Sequence, residues 1–256
     1  MSISVANINL FLLVFMRMSG MILFNPLLGR DNVPTLLKAA LSLIVSFLIV
    51  PTLHTAVSVS GPTQLVVSCL PELFIGYGMG VLIAGLFSVF QVAGEAIDLQ
   101  MGFSMANFYD PKSQISMPIV GSYLNAVLVL VFFAGNAHLA LFQMIADSFK
   151  AVPAGTVFVT EKSCWFVVAM GKDIFELGLR MALPILVVEL VVQVVNGILM
   201  RTVPQIDIFS VGIQIQTLAG LAMLLVMTTV FVALSGRLTD YTIEKCAEFI
   251  KLLTHT

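Results

Sequence analysis

Apolar residues in this chain fall into long stretches broken by short polar punctuation, and the stretches have the lengths of helices rather than strands. The first runs from Val5 to Phe24 and is closed by Asn25-Pro26. A second begins near Thr35 and runs towards Pro51, after which Pro51, Gly61 and Pro62 bracket a polar connector. A third, from Glu72 to about Val92, carries no charge before Glu95 and is long enough to cross a hydrocarbon core of about 30 Å. From Ser113 to Ala146 charge is again absent, but Gly135-Asn136 divides the run into Met117 to Ala134 and a shorter arm, Ala137 to Phe149. At about 1.5 Å per residue that second arm reaches roughly 20 Å, too short to cross, so it is expected to be re-entrant or packed on protein. After a mixed connector with Lys150, Pro153, Gly155 and Glu161, a last hairpin is predicted from Phe175 to Met200 and Ser210 to Ser235, and the tail from Arg237 is amphipathic and charged. The pattern predicts an all-α, membrane-associated fold of helical hairpins in one domain, 1–256. Its parts are N-terminal helices (1–92), a polar and Met/Phe-bearing loop (93–117), a hairpin (118–150), a second hairpin (174–236) and the tail (237–256).

Composition agrees with the pattern. Hydrophobic residues make up 59% and charged residues 10%, against roughly 25% charged in soluble domains, which leaves too little charge to coat a water-facing globule. A soluble enzyme is excluded. Twelve Lys+Arg against fourteen Asp+Glu, with no basic cluster, argue against nucleic acid as a partner. Cys69, Cys164 and Cys246 are far apart and odd in number, and His54, His138 and His255 are scattered, so neither a disulfide framework nor a metal site is expected. The apolar N-terminus lacks a basic leader region and carries Arg17, which points to a retained first helix. With six spans assumed, Lys150, Lys162, Lys172, Arg180, Arg237, Lys245 and Lys251 fall on the side of the termini, and Arg30, Lys38, Lys112 and Arg201 on the other. That bias favours cytoplasmic termini but is small, and it leaves the topology open.

Several polar residues sit inside apolar stretches, where each would cost several kcal/mol if it faced lipid. Arg17 lies too deep in the first helix to reach water easily and is expected to face protein. Glu189, Gln193 and Asn196 recur at i, i+4, i+7, with Gly197 adjoining, and form one polar stripe that should meet another helix. Glu72, Gly76, Gly80, Ala84 and Ser88 fall at successive i+4 positions, a small-residue seam that serves equally for packing within the chain or between subunits. Glu95 and Asp98 share a helical face, but no nucleophile, histidine or third ligand accompanies them. They are read as carboxylates at the start of a helix rather than as a catalytic pair.

The run Gly94-Glu95 through Asp98, Gln100-Met101-Gly102-Phe103-Ser104-Met105-Ala106 to Asp110-Pro111 resembles the signature of the FliR family, flagellar biosynthesis proteins of bacterial type III export gates. Asn196-Gly197, Arg201, Pro204-Gln205, Phe209, Gly212 and Gly220 resemble that family's C-terminal hairpin. Arg17, Gly20, Pro26-Leu27 and Gly29 resemble its N-terminal pattern. Asp207 departs from the usual Asn, and Gln214 and Gln216 lie in a region that more often bears Pro and Lys. The resemblance implies a non-enzymatic subunit without cofactors, present once in a helical assembly with several copies of FliP and FliQ. That assembly forms the pore through which unfolded flagellar proteins leave the cytoplasm. FlhA and FlhB are implied neighbours, lipid surrounds the assembly at the inner membrane of the flagellar basal body, and some helices are implied to wind above the bilayer plane. It also implies that the loop from about Met101 to Ser116 plugs the closed pore. Flexible thioethers at Met101 and Met105 suit a seal that must yield, Phe103 and Phe108 exclude water, Gly102 gives backbone freedom, and Asp110-Pro111 supplies a turn. A virulence-type injectisome paralogue is the alternative. A secondary transporter should show two related halves, and the chain has no convincing repeat.

Overall fold

The computed structural model describes residues 5–26, 33–53, 61–103, 118–156, 161–202 and 211–254, and among these the regular elements are helices, without strands. They are α1 (Val5–Phe24), α2 (Thr35–Ile49) continued by a short 3₁₀ turn (Val50–Thr52), α3 (Pro62–Gln100), α4 (Ile119–Ala134), α5 (Ala137–Ala151), α6 (Glu161–Thr202) and α7 (Ile213–Thr254). Four of them, α2 with its 3₁₀ turn, α3, α6 and α7, are long and apolar enough to cross a membrane, or five spans if the bent pair α4–α5 counts as one. Helix α1, apolar over Ile8–Phe24, falls just short of that length among the described residues.

The break in that pair sits at Gly135-Asn136, where Asn136 takes a left-handed φ of 54°. Asparagine accepts that conformation better than most residues with a Cβ. Elsewhere the helices outrun their apolar stretches. At 39 residues α3 is about 58 Å long, and at 42 residues each α6 and α7 are about 63 Å. Helix α3 starts at Pro62 rather than Glu72 and contains Pro71. Helix α6 absorbs the predicted connector back to Glu161, and α7 absorbs the charged tail to Thr254.

The chain divides into two compact units. The first comprises 1–86, 136–171 and 239–256; the second comprises 87–135 and 172–238. In the first, the buried apolar residues include Leu13, Val14, Met18 and Ile22 of α1, Ile75, Met79 and Ile83 of α3, Ile145 and Phe149 of α5, and Cys246 and Phe249 of α7. The α1–α3 crossing is close because glycines line it. A Cβ on Gly76 would overlap the Arg17 carbonyl oxygen, and one on Gly20 would lie 2.7 Å from the Leu73 carbonyl oxygen. Gly80 faces Met21 and Phe24 of α1, so this part of the small-residue seam packs within the chain; Ala84 and Ser88 are half-buried. In the second unit the buried apolar residues include Phe90, Ala93 and Ile97 of α3, Leu124, Leu128 and Phe132 of α4, Ala182 and Ile185 of α6, and Phe231 of α7.

Helix α2 is inverted with respect to a water-soluble helix. It buries Lys38, Ser42 and Ser46, whose hydroxyls donate to carbonyls one turn back, and exposes Leu36, Phe47 and Leu48 at 81%, 70% and 65%. Only 17% of its apolar stretch is buried, as for α6 and α7, against 67% for α3, so of these four helices α3 is the one that the chain itself covers.

Candidate functional site

In the second unit, polar side chains converge where α3 ends. The helix stops in a Schellman turn: Phe103 N–H donates to the Asp98 carbonyl at 3.1 Å, Gly102 N–H to that of Leu99 at 3.4 Å, and Gly102 takes the left-handed φ of 82° that this turn requires. Two carbonyls beyond the turn would remain unpaired without outside donors. Gln216 Nε2 of α7 donates to the Gln100 carbonyl, and Thr217 Oγ1 donates to that of Met101 at 3.1 Å. The Gln100 side chain in turn donates to Gln193 Oε1 of α6 at 3.2 Å. Gln216, a departure from the FliR-like pattern, thus caps the end of α3.

Asp98 serves the other side of the same junction. Helix α4 begins after Pro118, which offers no side-chain cap, and both Asp98 carboxylate oxygens accept the Val120 N–H at 3.1 Å. Behind this bond, α3 and α4 touch backbone to backbone, since a Cβ on Gly94 would overlap Gly121. Asp98 is therefore not a carboxylate at the start of its own helix, as the sequence suggested. It lies in the last turn of α3 and caps the first turn of α4, so the i, i+3 relation to Glu95 is incidental; Glu95 accepts from Gln91 on the exposed face.

The stripe on α6 is divided by its surroundings. Asn196 is buried and donates to the Gly212 carbonyl at 3.1 Å, Gln193 is exposed yet bonded to Gln100, and Gly197 has nothing within 4 Å of where a Cβ would stand. Glu189 is fully buried, and neither of its carboxylate oxygens has a hydrogen-bond partner among the described residues. It lies against Gly220, where a Cβ would come within 2.5 Å of Glu189 Oε1 and 2.6 Å of Met101 Cε. Of the plug residues suggested by resemblance, Met101 is fully buried in this junction, Gly102 forms the turn and Phe103 is half-buried. Met105, Phe108, Asp110 and Pro111 lie outside the described residues, as does Asp207.

The first unit holds a second polar centre. Arg17 and Glu72, both fully buried, pair at 2.6 Å through Nε and Oε2. The other guanidinium nitrogens donate to Ser148 Oγ at 3.0 Å and the Val152 carbonyl at 3.1 Å at the C-terminal end of α5, and the guanidinium lies 4.0 Å above the Phe149 ring. Glu72 Oε1 accepts the Gly155 N–H at 2.8 Å. The sequence placed Arg17 against protein and Glu72 on the seam without linking them. The one signal that could have linked them is that two opposite charges stand alone in apolar surroundings, each needing a partner. Among the described residues no three His, Cys, Asp or Glu side chains converge as metal ligands.

Residues 8–241 match the family model described as bacterial export proteins, family 1. The chain is 28% identical to the flagellar biosynthetic protein FliR of Bacillus subtilis (strain 168) over 95% of each chain. It is 30% identical to that of Escherichia coli (strain K12) over 85% of this chain and 83% of the relative, and 32% identical to that of Buchnera aphidicola subsp. Schizaphis graminum over 78% and 77%. An all-α chain with several membrane-competent helices, matched by the family model over residues 8–241 and by these relatives over 78% to 95% of its length, belongs to the bacterial export proteins, family 1, the family of the flagellar biosynthetic protein FliR.

Proposed function

We propose that the chain is a non-catalytic subunit of the flagellar type III export gate in the inner membrane of the basal body, where it forms with FliP and FliQ the pore taken by unfolded flagellar proteins, with FlhA and FlhB adjacent. The observation that carries the reading is the unfinished apolar surface. Helices α2, α6 and α7 leave most of their apolar stretches uncovered, and α2 turns its polar row inward. Such faces need lipid or apolar partner helices. The flagellar names of the relatives favour the flagellar gate over an injectisome. Within the gate, the segment beginning at Met101 is the plug, and its root is the capped end of α3.

Two measurements test this. Purified in mild detergent from cells that make flagella, the chain should bring down FliP-like and FliQ-like chains, and its deletion should abolish flagellar export. Shortening the segment between Gly102 and Asp110 should leave assembly intact and let the idle gate pass ions. Unimpaired export on deletion would remove the gate reading. Normal assembly of the shortened chain without added conductance would remove the plug.

A further inference from the structure

On the inward row of α6, Ala182, Ile185, Glu189 and Asn196 follow at helical spacing and are all buried, while Leu190 and Val191 beside Glu189 are exposed. One of the four is an acid. Glu189 is 0% exposed, and neither Oε1 nor Oε2 has a hydrogen-bond partner among the described residues. Its neighbours account for the lack. Gly220 of α7 has no side chain, and the space a Cβ would need is taken by Glu189 Oε1 and by the Met101 side chain at the end of α3. A thioether is only a weak acceptor and has no proton to donate.

Counter-charge is missing as well. Between Arg180 and Arg201, both exposed, Glu189 is the one charged residue of α6, and α7 carries none from Ile213 to Gly236. The nearer of those arginines is nine residues away, about 14 Å along the helix, and pairs with Glu176. In the last turns of α3 the charged groups are themselves acids with other partners: Asp98 accepts the Val120 N–H, and Glu95 accepts from Gln91 on the exposed face. Helix α4 carries no charge, and its one titratable group, Tyr123, is bonded to Thr228 Oγ1. An ionised carboxylate in such surroundings costs far more than a neutral carboxyl group, and a buried acid without a counter-charge avoids that cost by keeping its proton.

We propose that Glu189 is a proton-binding site: in the folded chain its carboxyl group holds one proton and stands uncharged between α3, α6 and α7. The proton comes from water as the helices enclose the side chain; one O–H bond forms, on Oε1 or Oε2, and no other bond changes. The competing ligand is a cation, either a metal ion or a basic side chain of another chain. The geometry favours the proton because nothing larger has room. A single methyl group on Gly220 would already lie 2.5 Å from Oε1, and Met101 fills the rest of the notch. The inference goes beyond the gate reading and does not depend on it.

The test uses the full chain recovered in mild detergent at neutral pH, with the chains that accompany it. The parent is compared with Glu189→Gln, a neutral side chain of nearly the same shape. Infrared difference spectra, in water and in deuterium oxide and with isotope-labelled glutamate, separate a protonated carboxyl group from a carboxylate. The parent should show one protonated glutamate carboxyl that responds to both isotopes and is lost in Glu189→Gln, with equal recovery of the two proteins. Loss of an ionised carboxylate in that difference overturns the inference and assigns the site to a cation. Should the amide, which brings two donors of its own, fail to accumulate, Glu189→Met supplies the same comparison. Failure of both variants shows that the site needs its charge and overturns the inference too. Export is not among the readouts, so a failed gate reading leaves this result standing, and a failed proton site leaves the gate reading standing.

Discussion

Every nitrogen of the Arg17 guanidinium has a partner inside the protein, and so do both oxygens of Glu72. That completeness is what makes a buried ion pair tolerable, because each unpaired charge would otherwise bear its desolvation cost alone. The pair also does something an apolar contact cannot: it supplies a donor to the carbonyl of Val152, the residue that caps the end of α5. Arg17→Met alone should destabilise the chain by about 3–5 kcal/mol, because it strands Glu72 in the core. Glu72→Leu alone should cost a similar amount by stranding Arg17. The double substitution should cost clearly less than the sum, since no uncompensated charge remains, although the α5 carbonyl and the Gly155 amide lose their partners. Thermal unfolding of the four proteins in the intact assembly reads this cycle, and strictly additive losses would show that the charges do not depend on each other. At this scale the sequence was partly legible. The burial of Arg17 followed from its position in an apolar run, but its partner, 55 residues away, did not, because nothing in local spacing relates two helices that meet only in the fold.

At the scale of elements, breaks were more legible than lengths. Asn25-Pro26 and Gly135-Asn136 mark the ends of α1 and α4 because their backbone chemistry disfavours continuing a helix. The starts of α3 and α6 were missed for the opposite reason: charges and a proline look like punctuation where the helix carries straight on. Lys162, Lys172 and Arg180 sit on exposed faces of α6, and Arg180 pairs with Glu176 at 2.5 Å, so an apolar stretch marks where a helix avoids water rather than where it stops. Helix crossings lend themselves to a direct comparison. Gly76→Ala puts a methyl group onto the Arg17 carbonyl and must push α1 from α3, a loss of about 1–3 kcal/mol. Gly171→Ala, with nothing within 4 Å of the new methyl, should be tolerated and should gain up to about 1 kcal/mol of helix stability. Equal loss of assembled protein in both variants would mean that the α1–α3 crossing does not depend on close approach.

Taken as a whole, the molecule exposes what most proteins hide. Leu36, Phe47, Leu130 and Leu225 stand at 70% exposure or more, and the apolar stretches of α2, α6 and α7 are only 17% buried. Made without its assembly, the chain should aggregate or be degraded, and its amount in membranes should rise several-fold when FliP-like and FliQ-like chains are supplied. A stable, monodisperse monomer in detergent would contradict this. The fold class and the membrane setting were legible from composition and run length alone. The division into two units was not, because each unit is assembled from segments far apart in the chain, and three long helices contribute to both.

The Arg17–Glu72 pair has a consequence for the order in which the protein is made. Ribosomes deliver Arg17 first and Glu72 55 residues later, so at roughly 5–20 residues per second the nascent chain waits about 3 to 11 s for its counter-charge. Ser148 and Val152, which take up the remaining guanidinium nitrogens, arrive later still. Throughout that interval α1 is an apolar helix with a bare cation at its middle, ill suited to lipid and to water alike. The contacts that bury α1 around Arg17 can therefore be completed only after α3 and then the end of α5 have been synthesised, and the first helix to be made is not the first to settle.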